Sequence, residues 1–199
     1  MMYPEEFQKL KEDFLMFPGV GEKSAERYVY SVNEMDIDKI NEFCENLKNF
    51  KKNIRQCKIC GHLTNSDVCN ICSNENRDKS VICVVEDSKS VFMFEKTLKY
   101  KGYYHVLGGL ISPIDEVVAE DINLDTLVND RITPDVKEVI IALNPSVEGD
   151  VTTLYIKKLL DKKNVKVSRL SYGLSMGSDL DYLDPLTVIR AIEDRKYVS

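Results

Sequence analysis

The stretch CKICGHLTNSDVCNIC carries Cys57, Cys60, Cys69 and Cys72 as two C-x-x-C pairs. Thiols in this pattern either close disulfides or hold a metal. Each C-x-x-C turn aims two sulfurs at one point, and two such turns complete a closed tetrahedral site with no position open for catalysis. Location decides between the two. The N-terminal MMYPEEFQKLKEDF is charged from its fifth residue, unlike a signal peptide. No apolar run approaches the roughly 20 residues needed to cross a bilayer. The expected location is the cytoplasm, where thiols stay reduced, and structural zinc becomes the expected occupant. His62 falls inside the finger, but four sulfurs already fill the metal's shell, so it reads as a neighbour of the site or a surface residue. Cys44 and Cys83, in NEFCENL and VICVVE, read as small core residues without chemistry.

A second group of residues able to do chemistry is acidic. Glu86 and Asp87 close the run SVICVVED, and Glu148 and Asp150 stand in NPSVEGD. The elements around them alternate. SVICVVED predicts a buried strand, SKSVFMFEKTLKY a helix, YYHVL and EVIIAL further strands, TTLYIKKLLDKK a helix and VKVSRL a last strand. That order predicts an α/β domain whose mainly parallel sheet is covered by helices. Ligand sites in such sheets gather at the carboxyl ends of the strands, where the four acids are expected to meet in a cluster suited to magnesium. NPSVEGD is expected to be a loop, which would hold Glu148 and Asp150 there.

The third group is basic. The net charge of −6 excludes a general basic coat, so nucleic-acid binding would need a local patch. Residues 4 to 16 predict an amphipathic helix with Phe7, Leu10, Phe14 and Leu15 on one side. A tight turn at Pro18, Gly19 and Gly21 follows, and a second helix turns Ala25, Tyr28, Val29 and Val32 inward. Such a turn points bare amides at a phosphate, with Lys23 and Arg27 flanking it. Lys48, Lys51, Lys52, Arg55 and Lys58 continue the basic run into the finger. A third helix over about 36 to 52 shows Ile37, Ile40, Phe43, Leu47 and Phe50 at helical spacing, and reads as core.

PGVG with Ala25 and Val29 resembles the helix-hairpin-helix motif, whose usual role is sequence-independent DNA backbone binding. Glu86, with Glu148 and Asp150 as an E-x-D pair, resembles the acid pattern of the Toprim domain. The order of hairpin, finger and Toprim resembles the bacterial recombination mediator family RecR along essentially the whole chain. FPGVGEKSAERY, CKICGHLT, VCNIC, RDKSVICVVED, EKTLKYKGYYHVLGGLISPID, NPSVEGD and GSDLDYLDPLTVIRAIEDRK carry the resemblance. It implies four regions: a helix-hairpin-helix region over 1–55, a zinc finger over 56–78, a Toprim domain over 79–172 and a C-terminal helical tail over 173–199.

The family further implies a non-catalytic, ring-like tetramer that encircles DNA and works with RecO and RecF to load RecA at single-strand gaps. Its assembly uses the N-terminal helices and the C-terminal tail, and nucleoid association follows. Lys23, Arg27, Gly19 and Gly21 are the implied DNA contacts. Glu86, Asp87, Glu148 and Asp150 would hold magnesium or dock RecO. His105, in YHVLGG, reads as a packed or loop-fixing residue. Two places depart from the family pattern: EVVAED follows Asp115, and Ser175 and Pro185 interrupt the C-terminal motif. No glycine-lysine phosphate loop is present, which argues against ATP hydrolysis. The rival reading is a magnesium-dependent Toprim nuclease or primase-like phosphoryl transferase, with Glu86 as acid-base and Glu148 and Asp150 on the metal.

Overall fold

The computed structural model describes residues 3–171, 174, 177 and 179–195, and the chain forms two compact units, residues 1–54 and 55–199. Ser175 of the C-terminal motif lies outside the described residues.

The first unit holds three helices, α1 (Glu5–Leu15), α2 (Glu22–Asn33) and α3 (Ile37–Asn53). Glu5 and Glu6 in the first turn of α1 favour its start by facing the positive end of the helix dipole. Aromatic pairs then join α1 to α2: Phe7 meets Tyr30 edge-on at 5.2 Å, and Phe14 meets Tyr28 at 5.4 Å. Beneath them Ala25 and Val29 of α2 are buried. Tyr28 remains partly exposed despite its contact with Phe14.

Helix α3 departs from expectation. Ile37, Phe43, Leu47 and Phe50 are 67%, 55%, 50% and 62% exposed, so this stripe is surface rather than core. Cys44 is exposed with it. Periodicity sorted the apolar residues onto one face correctly, but among the described residues nothing covers that face.

The second unit opens with a short antiparallel pair, β1 (Arg55–Gln56) and β2 (Leu63–Thr64), and continues into a four-stranded parallel sheet. The sheet strands are β3 (Asp78–Val85), β4 (Gly102–Val106), β5 (Glu138–Ala142) and β6 (Lys166–Arg169), in the order β4-β3-β5-β6. Helix α4 (Ser88–Lys96) links β3 to β4, and α6 (Val147–Leu160) links β5 to β6. The segment between β4 and β5 contains α5 (Leu124–Thr126), which runs into a π turn over Leu127–Arg131, and α7 (Pro185–Glu193) follows the sheet.

Strand alternation explains why both faces are covered. Ile82 and Val84 of β3 join Val139, Ile141, Leu127, Ile156 and Leu160 on one face. Cys83 and Val85 join Val91, Tyr104, Val106 and Ala142 on the other. Cys83 is therefore a core residue, and burial pushes its thiol up to about 12.

Two boundaries have local causes. Helix α6 begins at Val147, so NPSVEGD is not wholly loop and the E-x-D pair occupies the first helical turn. Ser146 explains this, because its Oγ accepts from the Gly149 amide at 3.1 Å and caps the helix early. Pro185, one of the departures in the C-terminal motif, is the first residue of α7, where its fixed φ suits a helix start. Asp184 caps the same helix by accepting from the Thr187 amide at 3.0 Å.

Candidate functional site

The four thiols converge. One sulfur from each of Cys57, Cys60, Cys69 and Cys72 lies within 4.8 Å of all the others, and among the described residues no other group of three or more His, Cys, Asp or Glu side chains converges so. The Sγ atoms of Cys60 and Cys69 are 3.6 Å apart. Four sulfurs at ~2.3 Å from a tetrahedral centre would stand about 3.8 Å apart, so the cluster fits zinc. Backbone amides add to the fit: Cys69 N–H donates to Cys57 Sγ at 3.3 Å and Cys72 N–H to Cys69 Sγ at 3.4 Å, the kind of contact that steadies thiolate ligands. The hydrogen bond between Cys60 and Cys69 shifts the two thiols in opposite directions, holding Cys69 far below the usual thiol range and raising Cys60. When bound, zinc supplies cross-linking, not catalysis, because protein ligands fill its shell.

His62 is buried beside the site, stacked edge-on against Phe92 at 4.8 Å, and burial lowers its pKa. It is not among the clustered ligands. The finger is fastened to the sheet by its own backbone. The carbonyl of Cys60 accepts from Val106 N–H at 2.7 Å, and Leu63 N–H donates to Ser88 Oγ at 3.0 Å.

The acids at the carboxyl edge are engaged separately. Glu86, just past β3, accepts from Asn144 Nδ2 at 3.0 Å. Asp87 caps α4, accepting from the Ser90 amide at 3.0 Å. Glu148 stands half-buried in the first turn of α6. Asp150 pairs with two guanidiniums, Arg190 of α7 at 3.1 Å and Arg169 of β6 at 3.7 Å. Arg169 also reaches Asp194 at 3.5 Å, which ties the C-terminal helix to the sheet edge. These arginines were not foreseen from the sequence. The one available signal was Arg169 at the end of a predicted strand, on the same edge as the acids.

His105 in β4 is fully buried, its Nε2 2.5 Å from the Asn123 carbonyl, which fits a packed, loop-fixing role. In the first unit, Gly19 adopts φ +80° in the turn after α1, and Gly21 precedes α2 with no side-chain cap on its first amides. Lys23 and Arg27 are exposed one turn apart on that helix. Farther along, Arg55 and Lys58 both reach Asp67, at 3.6 and 2.6 Å, and Lys48 pairs with Glu45 at 2.9 Å. Much of that second basic run is thereby neutralised.

Comparison with known proteins returns three family models: the RecR four-cysteine zinc finger domain over residues 54–74, the Toprim domain over 80–171 and the RecR C-terminal region over 173–196. Relatives match over almost the full chain. Recombination protein RecR of Staphylococcus haemolyticus strain JCSC1435 is 45% identical over 195 residues, 98% of each chain. Its counterparts in Streptococcus uberis strain ATCC BAA-854 and Staphylococcus aureus strain N315 are 45% and 44% identical over the same share of both chains.

Proposed function

The chain belongs to the RecR family of recombination proteins, and from that premise we propose that it is a DNA-binding mediator of recombinational repair. It assembles as a ring-like tetramer around DNA and acts in the cytoplasm, at the nucleoid, with RecO and RecF to load RecA at single-strand gaps. Cys57, Cys60, Cys69 and Cys72 hold its structural zinc.

The observation that carries the DNA reading is the hairpin. Uncapped amides at the start of α2, with Lys23 and Arg27 exposed beside them, suit a phosphate that is bound without reading bases. A few such contacts bind weakly and with strong salt dependence, so encirclement supplies the retention. An acidic chain can then hold DNA.

The carboxyl edge supports binding over catalysis. Asp150 already has two arginine partners, so a magnesium ion would have to displace both guanidiniums to use it. Glu86, Asp87 and Glu148 with Asp150 form an acidic rim suited to docking RecO. The magnesium-dependent phosphoryl transferase remains the competing reading, and one experiment separates them. End-labelled gapped DNA is incubated with the full chain and magnesium, beside Glu148→Gln and Lys23→Glu/Arg27→Glu. The expected result is shifted, uncut DNA with the wild type and with Glu148→Gln, and a shift lost with the double reversal. Cleavage by the wild type but not by Glu148→Gln would make the chain an enzyme and overturn the reading.

A further inference from the structure

The four cysteines of the finger are not equivalent. Cys57, Cys60 and Cys69 are 3%, 1% and 3% exposed, whereas Cys72 is only half-buried. Their hydrogen bonds differ in the same sense. Cys57 Sγ accepts from the Cys69 amide and Cys69 Sγ from the Cys72 amide, but among the described residues Cys72 Sγ accepts from no backbone N–H. Cys60 is shielded by position, with its Sγ against that of Cys69 and its carbonyl bonded to Val106 N–H of the sheet.

Access to Cys72 comes through a groove of about 390 Å³ between the finger and the sheet, which this residue lines. That volume is far above the ~30 Å³ that a water-sized molecule occupies. The sheet side of the groove is held in place. Tyr103 Oη donates to the Asn74 carbonyl at 3.0 Å, and the Arg131 guanidinium lies over the Tyr103 ring at 5.6 Å while donating to the Tyr104 carbonyl at 3.2 Å. Lys79 and Arg131 line the groove together with Glu75 and Asp130, so cations and carboxylates balance. A groove of that kind favours neither sign of ion and admits a small neutral molecule.

We propose that Cys72 is a modification site, the ligand at which a small uncharged peroxide attacks the zinc finger. Zinc keeps all four sulfurs as thiolates, so their relative rates are decided by access and by electron density on sulfur. A hydrogen bond to a thiolate lowers its basicity, and nucleophilicity falls with basicity at a Brønsted slope of ~0.4–0.5, about threefold for each unit. Cys72 lacks that bond and has the access.

The chemistry balances with peroxide as the oxidant. Cys72 Sγ attacks one peroxide oxygen, the O–O bond breaks, and the departing hydroxide takes a proton and leaves as water. The sulfur loses two electrons and becomes a sulfenic acid. A second thiolate of the cluster, within 4.8 Å, then attacks that sulfur, forming a disulfide and expelling hydroxide, which also leaves as water on taking a proton. Two thiolates, one peroxide and two protons thus give one disulfide and two waters. Only two protein ligands remain, too few for a closed structural site, so the ion is released. A dithiol reductant restores both thiolates by exchange.

The test uses the full, zinc-loaded chain carrying Cys44→Ser, which removes the exposed thiol on α3 that lies outside the cluster. Limiting hydrogen peroxide is added with dimedone present to trap sulfenic acid, and labelled cysteines are mapped by peptide mass spectrometry. In parallel, without dimedone, zinc release is followed with a chromogenic chelator against a peroxide-free control. The first label is expected on Cys72, in at least about threefold excess over any other ligand. Zinc release should accompany a disulfide that includes Cys72, and dithiothreitol should restore zinc binding. Cys72→His in the same background keeps a three-cysteine, one-histidine set of a kind that holds structural zinc. Its zinc should be released at least about threefold more slowly.

Label spread evenly over the four cysteines, or appearing first on Cys57, Cys60 or Cys69, would overturn the proposal. Zinc release from Cys72→His at an unchanged rate would do the same. Should that variant not take up zinc, the label map alone decides. Zinc retained at peroxide levels that oxidise Cys44 in the wild type would equally overturn it.

Discussion

His105 shows how a buried side chain couples structure to pH. Burial lowers its pKa to about 4, and the hydrogen bond that Nε2–H donates to the Asn123 carbonyl only partly offsets this. The unfolded chain, with an ordinary histidine pKa of about 6.5, binds a proton first as pH falls. Between those two values the unfolded state carries more protons, so stability falls as pH drops from about 6.5 towards 4, by roughly 3 kcal/mol in all. His105→Gln keeps an N–H for Asn123 and cannot titrate. Urea unfolding at about pH 7, 5.5 and 4.5 should show a shallower loss in His105→Gln than in wild type, and parallel losses would remove His105 as the cause. At this scale the sequence was readable where the chemistry is local: the two C-x-x-C turns are short enough for spacing alone to aim their sulfurs. It was not readable where partners come from far along the chain. Asp150 meets Arg190 from 40 residues away, and no pattern in NPSVEGD announces that contact.

Elements were recovered more fully than their edges, because hydrophobic period reports what an element buries while its ends depend on single capping bonds. The strands and helices of the sheet fall where alternation and β-branched runs put them, but α6 starts earlier than its apolar residues suggest because Ser146 caps it. The attachment of the finger to the sheet is likewise invisible in sequence and depends on Gly61. Its φ of +75° is the left-handed region that glycine tolerates, and a Cβ there would stand 2.9 Å from the Val106 carbonyl. Gly61→Ala therefore has two costs, the left-handed conformation at ~1 kcal/mol or more and a clash with backbone at the end of β4. A loss of about 2–3 kcal/mol is expected, a fall in Tm of roughly 4–12 °C for a chain of this size. Calorimetry with parallel zinc analysis checks this. Unchanged Tm with zinc retained would mean that the finger tolerates displacement from the sheet.

For the whole molecule, the exposed stripe on α3 bears on assembly. Apolar periodicity predicts that Ile37, Phe43, Leu47 and Phe50 share a face, and the structure leaves that face exposed instead of placing it in the chain's own core. A sequence does not distinguish a face covered by its own fold from one covered by another molecule, since both need the same residues. Large exposed apolar patches on a folded chain mark interaction surfaces, and the proposed tetramer would bury this one against a second copy. If so, Phe43→Asp with Phe50→Asp removes two side chains that are 55% and 62% exposed in the single chain, and leaves its interior untouched. Burying each such ring contributes up to roughly 1.5–3 kcal/mol, and a two-fold interface uses the substitution twice. The dissociation constant of the assembly should rise at least about a hundredfold, since every 1.4 kcal/mol is a factor of ten. Light scattering after size exclusion should then report a smaller particle for the variant than for wild type at the same concentration, with helical content unchanged by circular dichroism. Equal masses would place the assembly surface elsewhere. A smaller mass with weaker retention on closed circular DNA would join the stripe on α3 to the proposed encirclement, by which so acidic a chain would hold a polyanion.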